Sequence, residues 1–137
     1  MHRESGKALY VYNVHFDHES ENARVRSSEL LNRRIAARRH AEPVVVMGDF
    51  NAEPASAALR TLIGIDGSLV DTYAVEANSA AVASGTFHEF TGARDGRRID
   101  FILVSPELEV RDAAILYDED GGRYPSDHFP VTATVGF

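Results

Sequence analysis

A run of apolar residues ends abruptly in polar ones at residues 44–54, VVVMGDFNAEP. Consecutive apolar residues of this kind are typical of a strand that is buried on both faces. Asp49 and Asn51 follow directly, and alternate side chains of an extended chain point to the same face. Gly48 leaves room for another group to approach the backbone. The stretch therefore predicts a buried strand whose end presents a carboxylate and an amide to a single bound group.

The segments around this strand alternate between strand and helix patterns. Residues 7–16 alternate and are rich in Val and Tyr, as strands are, and residues 20–40 carry apolar positions at helical spacing behind Ser20 as the N-cap. Residues 54–64 begin with Pro and end with Gly, which is typical of a short helix. Further strands are predicted at 97–105, 108–118 and 129–137, with a loop-rich segment at 65–85 and a polar turn at 119–128. The order predicts one α/β domain over residues 1–137.

Composition is that of an ordinary soluble globular protein. The 137 residues suffice for one small domain with a core, and 44% of them are hydrophobic and 26% charged. No apolar run approaches the roughly 18 residues of a membrane helix, and residues 1–7 do not resemble a signal peptide, so the default compartment is the cytoplasm. The chain has no cysteine, which excludes disulfides and cysteine zinc sites. A net charge of −7 argues against tight binding of duplex nucleic acid.

Polar side chains gather at the ends of the predicted strands. His15 and Asp17 follow the first strand, Asp100 interrupts an apolar run, and the pair Asp127 and His128 precedes the last strand. Each has an ordinary structural explanation by itself, although a charge inside an apolar run, such as Asp100, needs a partner. Oxygen donors suit a hard cation such as Mg²⁺, and histidines beside carboxylates can transfer protons. Together these residue types predict metal-assisted hydrolysis of a phosphate ester.

Four motifs, in their order along the chain, resemble the endonuclease/exonuclease/phosphatase superfamily, the DNase I-like proteins. They are N-x-H-x-D-H at 13–18, G-D-F-N at 48–51, R-I-D-F-I-L-V-S at 98–105 and S-D-H-F-P-V at 126–131. The segment TFHEF at 86–90 also resembles the loop before the family's R-I-D strand, which often lines the substrate pocket. The resemblance implies a divalent-metal-dependent phosphoesterase that attacks a phosphodiester or phosphomonoester with activated water. The substrate stays open among a nucleotide, a sugar phosphate, a phospholipid head group and single-stranded nucleic acid.

The resemblance also implies a role for each matching residue. Asp49 orients or deprotonates the attacking water, Asn51 holds a phosphate oxygen, and His15 is an acid or stabilises the transition state. Asp100 orients His128, which contacts the phosphate or acts as the base, and the choice of base between Asp49 and His128 stays open. The expected ligands of Mg²⁺ or Mn²⁺ are Asp127, Asp49 and Asn51, and the expected substrate contacts are Asn13, His88 and Arg97.

The resemblance covers only the C-terminal half of the family's domain. The implied fold is one mixed β-sheet with helices on its outer face, half of a four-layer DNase I-like sandwich, and the metal-binding glutamate of the first half has no counterpart. A sheet with an open apolar face is an association surface. We expect a homodimer through the exposed sheet face, with a different partner chain or a truncated, poorly folding product as alternatives. The alternative function is a non-catalytic half-domain that serves as a binding or assembly module.

Overall fold

A computed structural model describes residues 6–63, 69–76 and 85–137 of the chain. The described residues form the strands and helices β1 (Tyr10–His15), α1 (Glu21–Ala36), β2 (Val44–Asp49), α2 (Ala57–Ile63), β3 (Val70–Asp71), α3 (Thr72–Glu76), β4 (Asp100–Val104), β5 (Glu109–Ile115) and β6 (Val131–Gly136). Every predicted element is present. The prediction of a loop is wrong at 70–76, where β3 and α3 form, while 64–68 and 77–84 lie outside the described residues. None of the described helices has the length and apolar character needed to cross a membrane.

The main sheet has four strands in the order β1-β2-β4-β3 and is mixed, as predicted. Strand β1 runs parallel to β2, which requires a crossover connection, and helix α1 supplies it. Strands β2 and β4 are antiparallel, and so are β3 and β4. The end of β1, the end of β2 and the beginning of β4 therefore meet at one edge of the sheet.

Helices α1 and α2 pack on one face of this sheet and form the core with it. Val44, Val46 and Leu103 on the sheet are completely buried against this helical layer, with Leu59 and Leu62 from α2. Because side chains alternate along a strand, the residues next to these on β1, β2 and β4 point to the opposite face. The active-site candidates His15, Asp49 and Asp100 all lie on that opposite face.

Helix α1 begins at the predicted cap. The Ser20 hydroxyl accepts a hydrogen bond from the Ala23 amide at 3.2 Å, which satisfies one of the free amides of the first turn. Three residues before Ser20, the Asp17 carboxylate accepts hydrogen bonds from the amides of Ser20 at 2.6 Å and Glu19 at 2.9 Å. These two bonds lower the pKa of Asp17. These hydrogen bonds hold the turn at residues 17–20, which comes two residues after His15 in the sequence.

The last two strands do not join the main sheet. Strands β5 and β6 pair with each other in an antiparallel hairpin and form a second layer over β4, where Ile102 faces Ile115 and Val131 across a narrow cavity. The expectation of one sheet was therefore incomplete, because the described residues contain a mixed sheet and a two-stranded fragment of a second one. Along β1 and β2 this second face remains open, and Val11 and Met47 are exposed on it.

Candidate active site

Strand pairing places three candidate residues side by side. His15 is the register partner of Asp49 in the parallel pair β1–β2, and Asp49 is the register partner of Asp100 in the antiparallel pair β2–β4. Residues directly opposite each other on neighbouring strands have their side chains on the same face, with Cβ atoms about 5 Å apart. The mixed direction of the sheet is thus what brings residues from three distant parts of the sequence together.

Asp100 and His128 form a hydrogen-bonded pair. The Nδ1 atom of His128 lies 2.8 Å from Oδ2 of Asp100, and the two side chains are 24% and 15% exposed. The predicted bond between these residues is therefore present. A carboxylate accepts only, so Nδ1 carries the proton of this bond, and in the neutral ring Nε2 is left as a proton acceptor. The ring of Phe87, 5.0 Å away between centroids, packs beside the imidazole.

Asp49 is held from two sides. Its Oδ1 atom accepts a hydrogen bond from the Asn51 amide at 2.7 Å, and its Oδ2 atom accepts one from Nδ2 of Asn51 at 3.1 Å. The Nδ2 group also donates to the Phe16 carbonyl at 3.0 Å, which uses its second hydrogen. Asn51 has a positive φ of 47°, which Asn tolerates better than most residues. In this arrangement Asn51 orients the Asp49 carboxylate, and Nε2 of the exposed His15 lies 3.5 Å from Oδ2 of Asp49.

Gly48 is required by the neighbouring strand. Its φ is +134°, and a Cβ atom at this position would lie 2.0 Å from the Val14 carbonyl oxygen. We expected the glycine to let a bound group approach, but the space is occupied by the backbone of β1. The close approach of β1 to β2 at this point carries His15 towards Asp49.

Three side chains form a group that could hold a metal ion. Ligand atoms of Asp49, Asp100 and His128 all lie within 4.8 Å of one another. Like charges directly opposite on adjacent strands destabilise a sheet, so a cation between Asp49 and Asp100 would offset their repulsion. Asp127, an expected metal ligand, is outside this group, and its carboxylate lies 3.4 Å from the Ser126 hydroxyl.

The three expected substrate contacts have different surroundings. Asn13 is exposed on the face that carries His15, two positions along β1. Arg97 is exposed and pairs with Glu53 at 3.3 Å, beside a cleft that Asn51 also lines. His88 is 4% exposed, stacks on Phe129 at 3.9 Å and accepts a hydrogen bond from the Gly92 amide at Nδ1. Asn13 and Arg97 are thus exposed, Arg97 in a cleft shared with Asn51, whereas the His88 ring is buried.

Sequence reasoning missed two buried groups that fix the start of β4. Arg98 makes a two-point ion pair with Asp71, at 2.6 and 3.2 Å, and both side chains are nearly buried. Asp71 lay in a stretch predicted to be loop, so no partner for Arg98 was foreseen. The second group is Thr86, a fully buried residue whose hydroxyl meets the backbone at Ile99 and Asp100. The motif TFHEF drew attention to the neighbouring His88, but no pattern in the sequence indicates that the Thr86 hydroxyl bonds to the backbone of β4.

Comparison with solved structures gives relatives of the same architecture and about twice the length. A protein of the endonuclease/exonuclease/phosphatase family from Bacteroides vulgatus is 34% identical with a TM-score of 0.83, and the match covers 98% of this chain and 51% of that one. A functionally unknown conserved protein from Enterococcus faecalis V583 is 33% identical with a TM-score of 0.77, over 92% of this chain and 49% of that one. A mannosyl-6-phosphatase from Bacteroides thetaiotaomicron is 29% identical with a TM-score of 0.83, over 98% and 54%.

These matches agree with the motifs on which the site was predicted. The chain spans about half the length of the solved structures that it matches. No curated protein matches the sequence significantly. The sequence model of the Endonuclease/Exonuclease/phosphatase family matches residues 3–128, which include all four motifs up to the Asp127–His128 pair. By this match and by its DNase I-like fold, the chain belongs to the endonuclease/exonuclease/phosphatase family.

Proposed function

We propose that the chain carries the active-site half of a divalent-metal-dependent phosphoesterase, which hydrolyses a phosphodiester or phosphomonoester with activated water. The observation that carries the proposal is the group of Asp49, Asp100 and His128 at the meeting point of three strands, with ligand atoms within 4.8 Å. Membership of the family supports a phosphoesterase function in general. An assembly module with no chemistry would have no need for two opposed carboxylates and a hydrogen-bonded histidine.

The roles of the residues follow from their hydrogen bonds. The Asp100 carboxylate holds the proton of His128 on Nδ1, so that Nε2 can accept a proton from water or donate to a phosphate oxygen. Asp49 is held by Asn51 and is the other group able to orient or deprotonate the water. His15 lies on the open side of Asp49, where it can stabilise charge that develops on the phosphate.

The donor set fits a hard divalent cation such as Mg²⁺ or Mn²⁺. Asp49, which belongs to the group above, would hold it, and the family resemblance implies Asn51 and Asp127 as further ligands, of which Asp127 lies outside that group. Such ions prefer oxygen donors and keep several waters. A metal ion held by these residues would supply charge stabilisation for the phosphate oxygens and would lower the pKa of a bound water. The residues of the chain orient the substrate and move the protons.

The cleft beside Asn51 is the proposed position of the substrate. It is lined by Arg24 and Arg97 together with Ser56 and two carboxylates, Glu21 and Glu53, so that guanidinium and hydroxyl groups stand next to Asn51. Guanidinium groups bind phosphate oxygens well. Since one relative is a mannosyl-6-phosphatase, we propose a sugar phosphate as the first substrate class to test. The net charge of −7 argues against long duplex nucleic acid.

The test is hydrolysis of bis-p-nitrophenyl phosphate, p-nitrophenyl phosphate and mannose 6-phosphate with Mg²⁺ or Mn²⁺. We expect Asp49→Ala to lower kcat by about 100-fold or more, and EDTA to abolish turnover. Asp112→Ala, at an exposed position on β5, is the matched control and should retain activity. Equal turnover by Asp49→Ala, or by the EDTA-treated protein, would contradict the proposal. A folded, metal-supplied protein without turnover on any substrate would favour the binding or assembly module instead.

A further inference from the structure

Thr86 holds the backbone at the beginning of β4. Its side chain is completely buried, and its hydroxyl oxygen accepts hydrogen bonds from the amides of Ile99 at 3.0 Å and Asp100 at 3.2 Å. Strand β3 pairs with β4 only at Leu103 and Val104, so it provides no acceptor at this end of the strand. The Thr86 hydroxyl takes the place of a missing strand for two consecutive amides, one of which belongs to Asp100.

The same residue also holds the segment that carries His128. The Thr86 carbonyl accepts a hydrogen bond from the Phe129 amide at 2.7 Å, and Phe87 pairs with His128 in an antiparallel bridge. One residue further, the His88 amide donates to the Asp127 carbonyl at 2.9 Å. Residues 86–88 and 127–129 therefore run side by side as a short ladder, and Thr86 is bonded at once to the backbone before Asp100 and to the backbone after His128.

We propose that Thr86 is a positioning residue for the Asp100–His128 pair. The hydrogen bond of 2.8 Å between these side chains depends on where two separate backbone segments stand relative to each other. Thr86 sets that separation through its hydroxyl on one side and its carbonyl on the other, beside the hydrogen bonds of the Thr86 and Phe87 amides to the Arg97 carbonyl at 3.0 and 3.1 Å. Loss of the hydroxyl leaves the buried amide of Ile99 and the part-buried amide of Asp100 without this acceptor, which favours a shift of the chain that lets water reach them. The kinetic part of this inference rests on the proposed function, whereas the structural part does not.

The test compares three variants of the full chain. Thr86→Val keeps the shape and removes the acceptor, and Thr86→Ser keeps the hydroxyl and removes a methyl group. The matched control is Thr72→Val, which also removes a buried hydroxyl bonded to β4, at the Ile102 carbonyl rather than at Asp100. The first readout is the low-field proton resonance of the His128 Nδ1–H group, assigned by its absence in His128→Asn. The second is hydrogen exchange of the Ile99 and Asp100 amides.

We expect Thr86→Val to lose the low-field resonance. We also expect exchange of both amides to be at least about tenfold faster, because the equilibrium constant for local opening of this segment should rise by that factor. Thr86→Ser and Thr72→Val should resemble the wild type. If hydrolysis is detected, kcat of Thr86→Val should fall about tenfold while KM changes by less than about twofold, because the substrate contacts remain. Restoration of kcat by Ser but not by Val separates the hydroxyl from its packing.

Several results would overturn the inference whether or not the chain has activity. One is a Thr86→Val protein that keeps the low-field resonance and the slow exchange of Asp100. Another is equal loss in Thr86→Ser, because packing of the methyl group would then be responsible. If Thr86→Val does not fold, the wild type decides: its Ile99 and Asp100 amides must be as protected as those of Leu103 and Val104, which pair with β3. Rapid exchange there would show that the hydroxyl does not hold them.

Discussion

Three histidines of this chain stand in three different environments, and their chemistry differs accordingly. His128 is half-buried and bonded to Asp100, so its tautomer is fixed. His15 is largely exposed beside Asp49, so its side chain can contact a substrate or a second chain. His88 is buried with Nδ1 occupied by the Gly92 amide, and its Nε2 atom has no partner within the described residues. The surroundings of each ring, which the sequence does not show, therefore decide what each histidine can do.

The hydrogen bond between Asp100 and His128 predicts that replacing the Asp100 carboxylate by an amide lowers kcat strongly. Asp100→Asn keeps the shape of the side chain, but its amide can donate to the ring and so favours the opposite tautomer. We expect kcat for the best nitrophenyl substrate to fall by about 100-fold, with little change in the circular dichroism spectrum. Asp112→Asn on the exposed side of β5 is the control for loss of a carboxylate. Turnover of Asp100→Asn within about threefold of the wild type would count against the role of the pair.

Asp17 predicts how stability depends on pH in the acid range. Hydrogen bonds from the Ser20 and Glu19 amides lower its pKa in the folded chain below the ordinary value of about 3.9. The charged form is therefore the one that stabilises the fold, and its contribution is complete well above the unfolded pKa, from about pH 5, and is lost as pH falls through the folded pKa. The Tm difference between the wild type and Asp17→Asn should shrink between about pH 5 and pH 2. A difference that stays constant over this range would contradict the assignment.

At the scale of elements, Gly48 predicts that the pairing of β1 and β2 cannot accept a side chain at this position. A Cβ atom would meet the Val14 carbonyl at 2.0 Å, and φ is +134°. Gly48→Ala should lower the free energy of unfolding by about 3 kcal/mol, since both overpacking and backbone strain contribute. Gly121→Ala is the control: its φ of +59° is also positive, but no atom lies within 4 Å of the added methyl group, so about 1 kcal/mol is expected. Urea unfolding of both variants measures the difference, and equal losses would rule out the steric cause.

Elements with a strong local signal were predictable from the sequence, and elements made by pairing were not. Ser20 marks the start of α1 because a capping hydroxyl acts on residues three positions away, and the uninterrupted apolar run at 44–47 marks β2. The burial on both faces that this run predicted is wrong at Met47, which is exposed on the open face of the sheet. Strand β3 has only two residues, Val70 and Asp71, and exists because it pairs with β4. No local pattern could predict it.

The candidate site shows the same division. Asp49 and Asp100 could be identified as site residues from their motifs. The pairing of Asp100 with His128 could be predicted as well, because the family resemblance implies it. The buried ring of His88 and the hydroxyl of Thr86 depend on packing between the segments 86–88 and 127–129, which are some 40 positions apart in the sequence. Residue identity alone does not carry that information, because the same side chains at a loop surface would be free.

At the scale of the whole molecule, the second face of the main sheet is covered only in part. The hairpin β5–β6 lies over β4, while β1 and β2 expose Val11 and Met47 on this face. Strand β6 pairs with β5 alone among the described strands, so its other edge is open to a further strand. A two-stranded sheet is marginally stable by itself, and an exposed apolar face next to it is a surface for association. The active-site candidates stand at the border of this open face.

We predict that a second copy of the chain covers this face, so that the sandwich is completed in a homodimer. Light scattering at micromolar concentration should then give about twice the 15.0 kDa of one chain. Val11→Asp, at a side chain 53% exposed on the open face, should shift the mass towards the monomer, because a carboxylate buried at the interface has no partner. The matched control is Leu30→Asp on helix α1, where a side chain 49% exposed points away from the open face and the dimer should persist. A stable, folded species near 15 kDa in the wild type would mean that the face needs no cover. A dimer that Val11→Asp leaves intact would place the interface elsewhere.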